Sequence, residues 1–281
     1  MSRPKDHLLF QQYPLAESAT LSVGTVPVPY HIYDGYGLFI GGTADLERVR
    51  ALLKPEQVEP IQNEEGRALM GIWICDFVHA SLGPHHELQF SIFIQRESVP
   101  SVSSHPLGLL AAMLKRDDMQ MLCHGLYNST PKVVAYNREL LSLNAHLADS
   151  RIERTNSGHD VEFSIQDAQT KIPIIDGIFK GVDRPSMRAG FDLVGQLGLM
   201  GTFNAGRLPW VTMEIVNPIG VVLTQNRVAQ AYTKNEVNAI QYFNPQMHTL
   251  RFGDSPYAEL DFNPQVVQFM DGFKFVYLNP E

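Results

Sequence analysis

Short strand-like runs separated by Pro, Gly and Asn dominate the chain after residue 130, and they constrain the fold more than any other feature. The runs are KVVAY (132–136), DVEFSI (160–165), KIPIIDGIF (171–179), WVTMEIV (210–216), IGVVLT (219–224) and FKFVYL (273–278). Many short strands at near-regular spacing are typical of a barrel or a sandwich. They predict an α+β, mostly β fold. Residues 1–281 are expected to form a single domain that begins with a loosely patterned lead-in at 1–24.

The first half of the chain adds two longer strands and two helices. ALMGIWICDFV (68–78) is too apolar for an edge strand and predicts a central one, while ELQFSIFIQ (87–95) alternates and predicts a strand with one strongly buried face. TADLERVRALL (43–53) carries its apolar residues on one side, which predicts a helix capped by Thr43. HPLGLLAAMLKRD (105–117) predicts a second helix.

Composition narrows the class of partner. The formal net charge is −8 and no basic stripe is present, which argues against nucleic acid and anionic membranes. No stretch approaches the ~18 uninterrupted apolar residues of a membrane span, and the N-terminus lacks the apolar core of a secretion signal. Two cysteines make no disulfide framework, so a reducing, cytoplasmic location is expected.

Common cofactor and metal motifs are absent from the sequence. It contains no GxGxxG after a strand, no P-loop and no GxSxG turn, so no cofactor is expected. HASLGPHHE (79–87) holds three histidines and a glutamate, close to Asp76. However, the adjacent His85 and His86 would point to opposite sides of a strand, so they cannot easily share an ion. No metal site is expected there.

Three motifs, in order and spacing, resemble the acetoacetate decarboxylase family. They are SLGPHHELQFSIFI (81–94), LYNSTPKVVAYNRELLSLNAHL (126–147) and the tail FGDSPYAELDFNPQVVQFMDGFKFVYL (252–278). In that family a Leu-Gly pair precedes a site glutamate, and Gly-Arg-Glu-Leu leads to the active lysine. The resemblance runs from about Pro29 to the end. It implies an antiparallel β-barrel or cone with a few short helices, a small-molecule substrate and a homo-oligomer.

The chain departs from the family where the chemistry would lie. The family's lysine forms an imine with a β-keto acid, and this imine accepts the electrons released as carbon dioxide leaves. Ungapped counting puts that lysine at Ala145 and its neighbouring lysine at His146. The same counting puts the family's arginine at Gly35, retains one site glutamate as Glu87 and puts the other at Ile72.

Three residues are therefore candidates for catalysis. Glu87 opens an apolar strand, where a buried carboxyl with a raised pKa can serve as a general acid or base. His146 corresponds to a cavity position of the family, but in a helix beginning at Arg138 it would lie beside an apolar face as a structural histidine. His124 maps near a cavity-lining segment and could equally be a satisfied strand histidine. The expected substrate-binding positions are Gly35, Ile72, Leu143 and Ala145.

Three functions remain open on the sequence alone. The first is a diverged enzyme of this fold that moves protons next to a carbonyl group without an imine, in an isomerisation, dehydration, cyclisation or aldol-type step. The second is a decarboxylase or related lyase with a lysine supplied from elsewhere, Lys132 being favoured over Lys115, Lys171 and Lys180. The third is a non-catalytic small-molecule-binding protein.

Overall fold

The computed structural model describes residues 7–95, 100–116, 119–155, 160–181, 186–207, 211–216, 228–234 and 237–278, with the backbone alone at 199 and 203–238. The described helices are α1 (Leu8–Gln12), α2 (Leu46–Leu53), α3 (Gly108–Lys115), α4 (Pro131–Glu139) and α5 (Met187–Arg207). The first strands are β1 (Glu17–Leu21), β2 (Gly24–Val28), β3 (Tyr30–Ala44), β4 (Glu59–Pro60), β5 (Ala68–Ala80), β6 (His85–Gln95), β7 (Gln120–Asn128) and β8 (Ala145–Thr155).

The remaining strands are β9 (Asp160–Asp167), β10 (Pro173–Lys180), β11 (Val211–Val216), β12 (Val228–Lys234), β13 (Val237–Tyr242), β14 (His248–Phe252), β15 (Asn263–Asp271) and β16 (Lys274–Tyr277). The fold is thus mostly β with few helices, as the sequence predicts. The predicted lead-in at 1–24 carries α1 and β1, and β1 pairs with β2. Among the described residues, no helix has both the length and the apolar composition needed to cross a membrane.

A single curled sheet organises the molecule. Its pairings run in the order β7–β11–β12–β16–β3–β5–β6 and return to β7, while β8, β9, β10 and β14 extend it from β7. Most of these pairings are antiparallel, as expected for the barrel. However, β7 pairs in parallel with β8 and β11. Parallel neighbours need a crossover connection, and α4 is part of the connection between β7 and β8.

Both faces of the central strands are covered. One face carries a core that includes Phe39, Phe93 and Leu126, and the other carries Ile40, Ile72 and Phe90. For this reason 68–78 is a central strand, as predicted. The segment 87–95 is buried on both faces, whereas the sequence indicated one, because polar residues such as Gln89 are buried on the second face.

The segment around residue 140 corrects two sequence predictions. KVVAY (132–136), predicted as a strand, lies in α4, since Pro131 opens the helix and a short apolar run fits either structure. The helix predicted from Arg138 is also wrong. The chain leaves α4 after Glu139, passes through Ser142 at a positive φ of 56°, and enters β8 at Ala145.

The other predicted elements are confirmed with small shifts. α2 begins after Asp45, whose side chain accepts a hydrogen bond from the Arg48 N–H, so Asp45 rather than Thr43 is the cap. α3, β9, β10, β11 and β16 occupy segments predicted as a helix or as strands. IGVVLT (219–224) lies outside the described residues.

We predict that Gly42→Ala lowers the free energy of unfolding by about 1–3 kcal/mol, the usual range for overpacking. A Cβ at Gly42 would lie 2.2 Å from the backbone oxygen of Asn263 on β15. Gly195→Ala is the matched control, because an added Cβ meets nothing within 4 Å in α5. It should be neutral or stabilising by about 0.5–1 kcal/mol. Urea denaturation measures both, and equal stability of the two variants would contradict the packing.

Candidate active site

Glu87 lies in a row of side chains that crosses five strands. Cross-strand pairs place Gly37, Cys75, Glu87, Asn128 and Leu147 directly opposite one another on β3, β5, β6, β7 and β8. Directly paired residues point to the same face of a sheet. Glu87 therefore points into the core on the α4 side of the sheet.

Two asparagines hold the Glu87 carboxyl group. Asn128 donates from Nδ2 to Glu87 Oε2 over 2.9 Å, and Asn137 of α4 donates from Nδ2 to Asn128 Oδ1 over 2.9 Å. Both asparagines are fully buried. Because Asn128 Oδ1 accepts from Asn137, its amide group has to present Nδ2 to the carboxyl group. The carboxyl group is thus oriented by a hydrogen-bonded chain that reaches the helix.

Burial raises the pKa of Glu87 to about 7, although the hydrogen bond from Asn128 lowers it in part. Within the described residues no lysine or arginine side chain compensates the charge. Desolvation penalises the ionised form, so the carboxyl group changes protonation state near neutrality. A carboxyl group with this property can both take up and release a proton under physiological conditions.

A tyrosine–histidine pair lies on the same side of the sheet. Tyr30 Oη is 2.5 Å from His85 Nε2, and His85 Nδ1 is 2.9 Å from the Gly83 carbonyl oxygen. A carbonyl only accepts, so Nδ1 carries the proton and Nε2 accepts from Tyr30. Burial lowers the pKa of His85 to about 4, which keeps the ring neutral. Burial, together with the charge of Glu87, raises the pKa of Tyr30 and of Tyr277.

Three of the predicted substrate-binding positions lie on the Glu87 side. Ala145 and Leu143 are buried in the core there, and Ala145 is paired with Leu126 two positions from Asn128 on β7. A Cβ at Gly35 would lie 2.7 Å from the Asp76 carbonyl oxygen and 3.0 Å from the Phe77 ring. The backbone geometry therefore excludes a long side chain such as arginine at position 35 in this chain.

Ile72, His124 and His146 lie away from Glu87. Ile72 is paired with Phe90, and His146 is paired with Tyr127, in rows that point to the opposite face of the sheet. Side chains alternate along a strand, so a shift of one residue in counting changes the face. Trp73, which follows Ile72, shares the Glu87 face and pairs with Gln89.

The two candidate histidines have local partners on that second face. His146 Nε2 lies 3.0 Å from Asn144 Oδ1, and its ring stacks on Tyr127 with a centroid distance of 5.3 Å. His124 Nδ1 lies 2.9 Å from Tyr257 Oη, and burial lowers the pKa of His124 to about 4. The structure does not bring either histidine together with Glu87.

The lysines considered as substitutes lie at the surface. Those at positions 115, 132, 171 and 180 are exposed, and so is Lys54. Lys274 is buried, and its Nζ donates to the Gly272 carbonyl oxygen over 3.2 Å. Lys274 and Tyr277 lie three positions apart on β16, so their side chains point to opposite faces of the sheet. Tyr277 is the one close to Glu87, and Lys274 therefore points away from it. The side chains of Lys5 and Lys234 lie outside the described residues.

The histidine-rich turn does not gather ligands around one point. His85 contacts Tyr30, whereas His86 Nδ1 lies 2.9 Å from Ser150 Oγ and its Nε2 lies 3.6 Å from Asp76. The two rings point to different faces, as alternation predicts. Over the described part of the chain, no three His, Cys, Asp or Glu side chains are grouped closely enough to hold a metal ion.

Sequence reasoning selected Glu87 as a candidate but missed the residues that contact it. The motif LYNSTPKVVAYN (126–137) contains Asn128 and Asn137, and the segment VPVPY (26–30) contains Tyr30. Their spacing in the sequence does not indicate that they lie close to Glu87. The one sequence signal for these partners was that two asparagines, Asn128 and Asn137, flank the apolar run KVVAY (132–136). Such residues are favoured in turns, which concealed their burial.

We predict that Glu87→Gln gains stability relative to the wild-type protein as the pH rises from 4.5 to 7. The folded pKa of about 7 lies above the ordinary value of 4.5, so ionisation favours the unfolded state across that window. At ~1.4 kcal/mol per pKa unit, the wild-type protein loses about 3 kcal/mol that the glutamine variant keeps. Urea denaturation at several pH values measures the difference.

The matched control for this experiment is Glu65→Gln, since Glu65 is exposed. Its stability relative to the wild-type protein should not change over the same pH window. A Glu87→Gln difference that is constant with pH would show that Glu87 does not have a raised pKa.

Comparison with known proteins supports the fold. No protein-family model matches the chain, and no curated protein matches its sequence. Acetoacetate decarboxylase from Legionella pneumophila superposes with a TM-score of 0.58 at 10% identity, covering 98% of this chain and 94% of that one. A second acetoacetate decarboxylase structure gives 0.52 at 12% identity, covering 90% and 87%. The chain therefore has the acetoacetate decarboxylase fold.

Proposed function

We propose that this protein is an enzyme that moves protons at the carbon next to a carbonyl group, with Glu87 as general acid and base. The substrate is a small or medium keto compound, and the reaction is an isomerisation, dehydration, cyclisation or aldol-type step. The observation that carries the proposal is the buried Glu87 carboxyl group, whose pKa of about 7 makes both protonation states accessible. A binding pocket without chemistry has no need for such a group.

The hydrogen bonds of Glu87 suit this role. Asn128 donates to Oε2 of the carboxyl group over 2.9 Å. Asn137 keeps the Asn128 amide in place, so the carboxyl group is held in one orientation. A carboxyl group held in one orientation meets a condition for efficient proton transfer to or from a substrate.

An imine route is disfavoured by the surroundings of Ala145. This residue points to the same face as Glu87, so a lysine there would reach the same region, yet the chain presents only a methyl group. Lys132, the favoured substitute, is exposed on α4. Its exposed amine thus lies outside the buried core that holds Glu87. Proton transfer by Glu87 needs no lysine.

We predict that the protein catalyses exchange of α-protons with deuterium oxide for one or more members of a ketone panel comprising 2-butanone, cyclohexanone and pyruvate. The rate should rise with pH through about 7 as Glu87 ionises, because the carboxylate is the base. Glu87→Gln should lower the rate about 10²–10⁴-fold, the usual contribution of general base catalysis. Proton NMR measures the exchange.

His146→Ala and His124→Ala are the matched controls for that experiment, because both histidines lie on the other face of the sheet. They should exchange as fast as the wild-type protein. Unchanged exchange in Glu87→Gln would refute the proposal. A ketone that binds tightly and is recovered without exchange would instead identify a binding protein.

We predict that borohydride reduction in the presence of acetoacetate, or of pyruvate, leaves no specific adduct on any lysine. The lysines at positions 54, 115, 132, 171 and 180 are exposed, so none of them lies in the buried region around Glu87. Intact-protein and peptide mass spectrometry measure the result beside an imine-forming enzyme as positive control. A single modified lysine would restore the decarboxylase alternative and assign the site to that residue.

A further inference from the structure

Trp73 carries a buried donor with no partner. Its Nε1 atom is inaccessible to solvent and makes no hydrogen bond within the described part of the chain. Buried tryptophan N–H groups usually find an acceptor, because leaving one unpaired costs the free energy of its desolvation. An unpaired donor in a core is therefore a candidate for a contact with a ligand.

The sheet places Trp73 close to Glu87 on the same face. Cross-strand pairs align a second row of residues two positions along each strand from the Glu87 row, and therefore on the same face. This row consists of Phe39, Trp73, Gln89, Leu126 and Ala145. Trp73 on β5 and Glu87 on β6 are diagonal neighbours, a relation that separates Cα atoms by about 7–8 Å. A substrate in contact with the Glu87 carboxyl group thus lies within reach of the indole.

Neighbouring residues hold the indole and leave its N–H available. The Phe39 ring packs against Trp73 with a centroid distance of 4.4 Å. The other polar side chain of this row, Gln89, is already engaged, because its Nε2 donates to Ser91 Oγ over 2.7 Å. Among the side chains of this row, Trp73 is the one with an unused donor.

We propose that Trp73 Nε1–H donates a hydrogen bond to the carbonyl oxygen of the substrate while Glu87 acts on the adjacent carbon. This inference deepens the proposed function and rests on it. It adds a hydrogen-bond donor at the substrate oxygen atom on which negative charge develops. The core around Glu87 has Ala145 at the position where the resemblance to acetoacetate decarboxylase implies an imine-forming lysine.

The proton transfer balances as follows. Glu87 carboxylate takes a proton from the α-carbon, and the electron pair of the broken C–H bond forms a C=C bond to the carbonyl carbon. The π electrons of the carbonyl bond move to oxygen, which becomes negative and accepts the Trp73 hydrogen bond. Glu87 later returns its proton to carbon. Donors that meet the developing negative oxygen stabilise the transition state more than the ground state.

The recognised ligand class is therefore a ketone or its enolate, with the enolate held more tightly. A stable enolate such as 1,3-cyclohexanedione at neutral pH is the appropriate probe. It should bind when Glu87 is protonated, since the ionised carboxylate repels a negative ligand. Its affinity in the wild-type protein should consequently fall as the pH rises through about 7, and this pH dependence should disappear in Glu87→Gln.

The test uses the full-length protein with its tryptophans labelled with ¹⁵N in the indole ring. The chain has two tryptophans, so Trp73→Phe, or alternatively Trp210→Phe, assigns both indole N–H signals. Saturation with 1,3-cyclohexanedione should move the Trp73 signal downfield, as expected when an N–H gains an acceptor. Trp73→Phe, which keeps an aromatic ring against Phe39, should weaken probe binding about 10-fold or more.

Measurement of α-proton exchange distinguishes a failure of this inference from a failure of the proposed function. If the wild-type protein exchanges a ketone, Trp73→Phe should lower the rate about 10²–10³-fold, as loss of one such donor does. Equal rates in the two proteins, an unmoved Trp73 signal at saturation or no probe binding would each overturn the role of Trp73. A moved signal without any exchange would support Trp73 as the ligand donor and refute catalysis by Glu87. If Trp73→Phe does not fold, the wild-type spectra assigned with Trp210→Phe decide the question.

Discussion

The register between β5, β6 and β7 is the constraint on which the candidate site depends. It places Cys75, Glu87 and Asn128 directly opposite one another, so the two side chains paired with the carboxyl group carry a thiol and an amide. A slip of one residue in any of these pairings would move the side chain to the opposite face. The polar residue in this core is therefore tolerated because its hydrogen-bond partner is delivered by the same register.

The electrostatic character of the site follows from the groups that surround Glu87. Cys75, Cys123, Tyr30 and Tyr277 are buried near it, and burial raises the pKa of each, so all four are neutral. His85 is also neutral, because burial lowers its pKa to about 4. A carboxyl group among neutral neighbours has no counter-charge to stabilise its ionised form, so it titrates near neutrality. That environment suits proton exchange with a neutral ketone.

The same surroundings underlie the proposal that this chain does not use an imine. An imine requires a lysine that loses its proton near neutral pH, which desolvation or a nearby cation achieves. Here the desolvated region is present, but Ala145 occupies the strand position that points into it, and the backbone at Gly35 has no space for an arginine. In this chain the buried carboxyl group thus lies on the same side of the sheet as a small residue, Ala145, and a glycine, Gly35.

Sequence by itself determined the mostly β class, the central position of 68–78 and the choice of Glu87, since these follow from local apolar patterns and one motif. It did not determine which residues meet Glu87. KVVAY (132–136) could be a strand or a helix, and only packing of α4 on β7 and β8 decided for the helix and brought Asn137 to Asn128. Counting placed His146 at a cavity position of the family, whereas the pairing of β7 with β8 puts it on the face of the sheet opposite to Glu87. Contacts between distant segments depend on register, and register is a property of the assembled sheet.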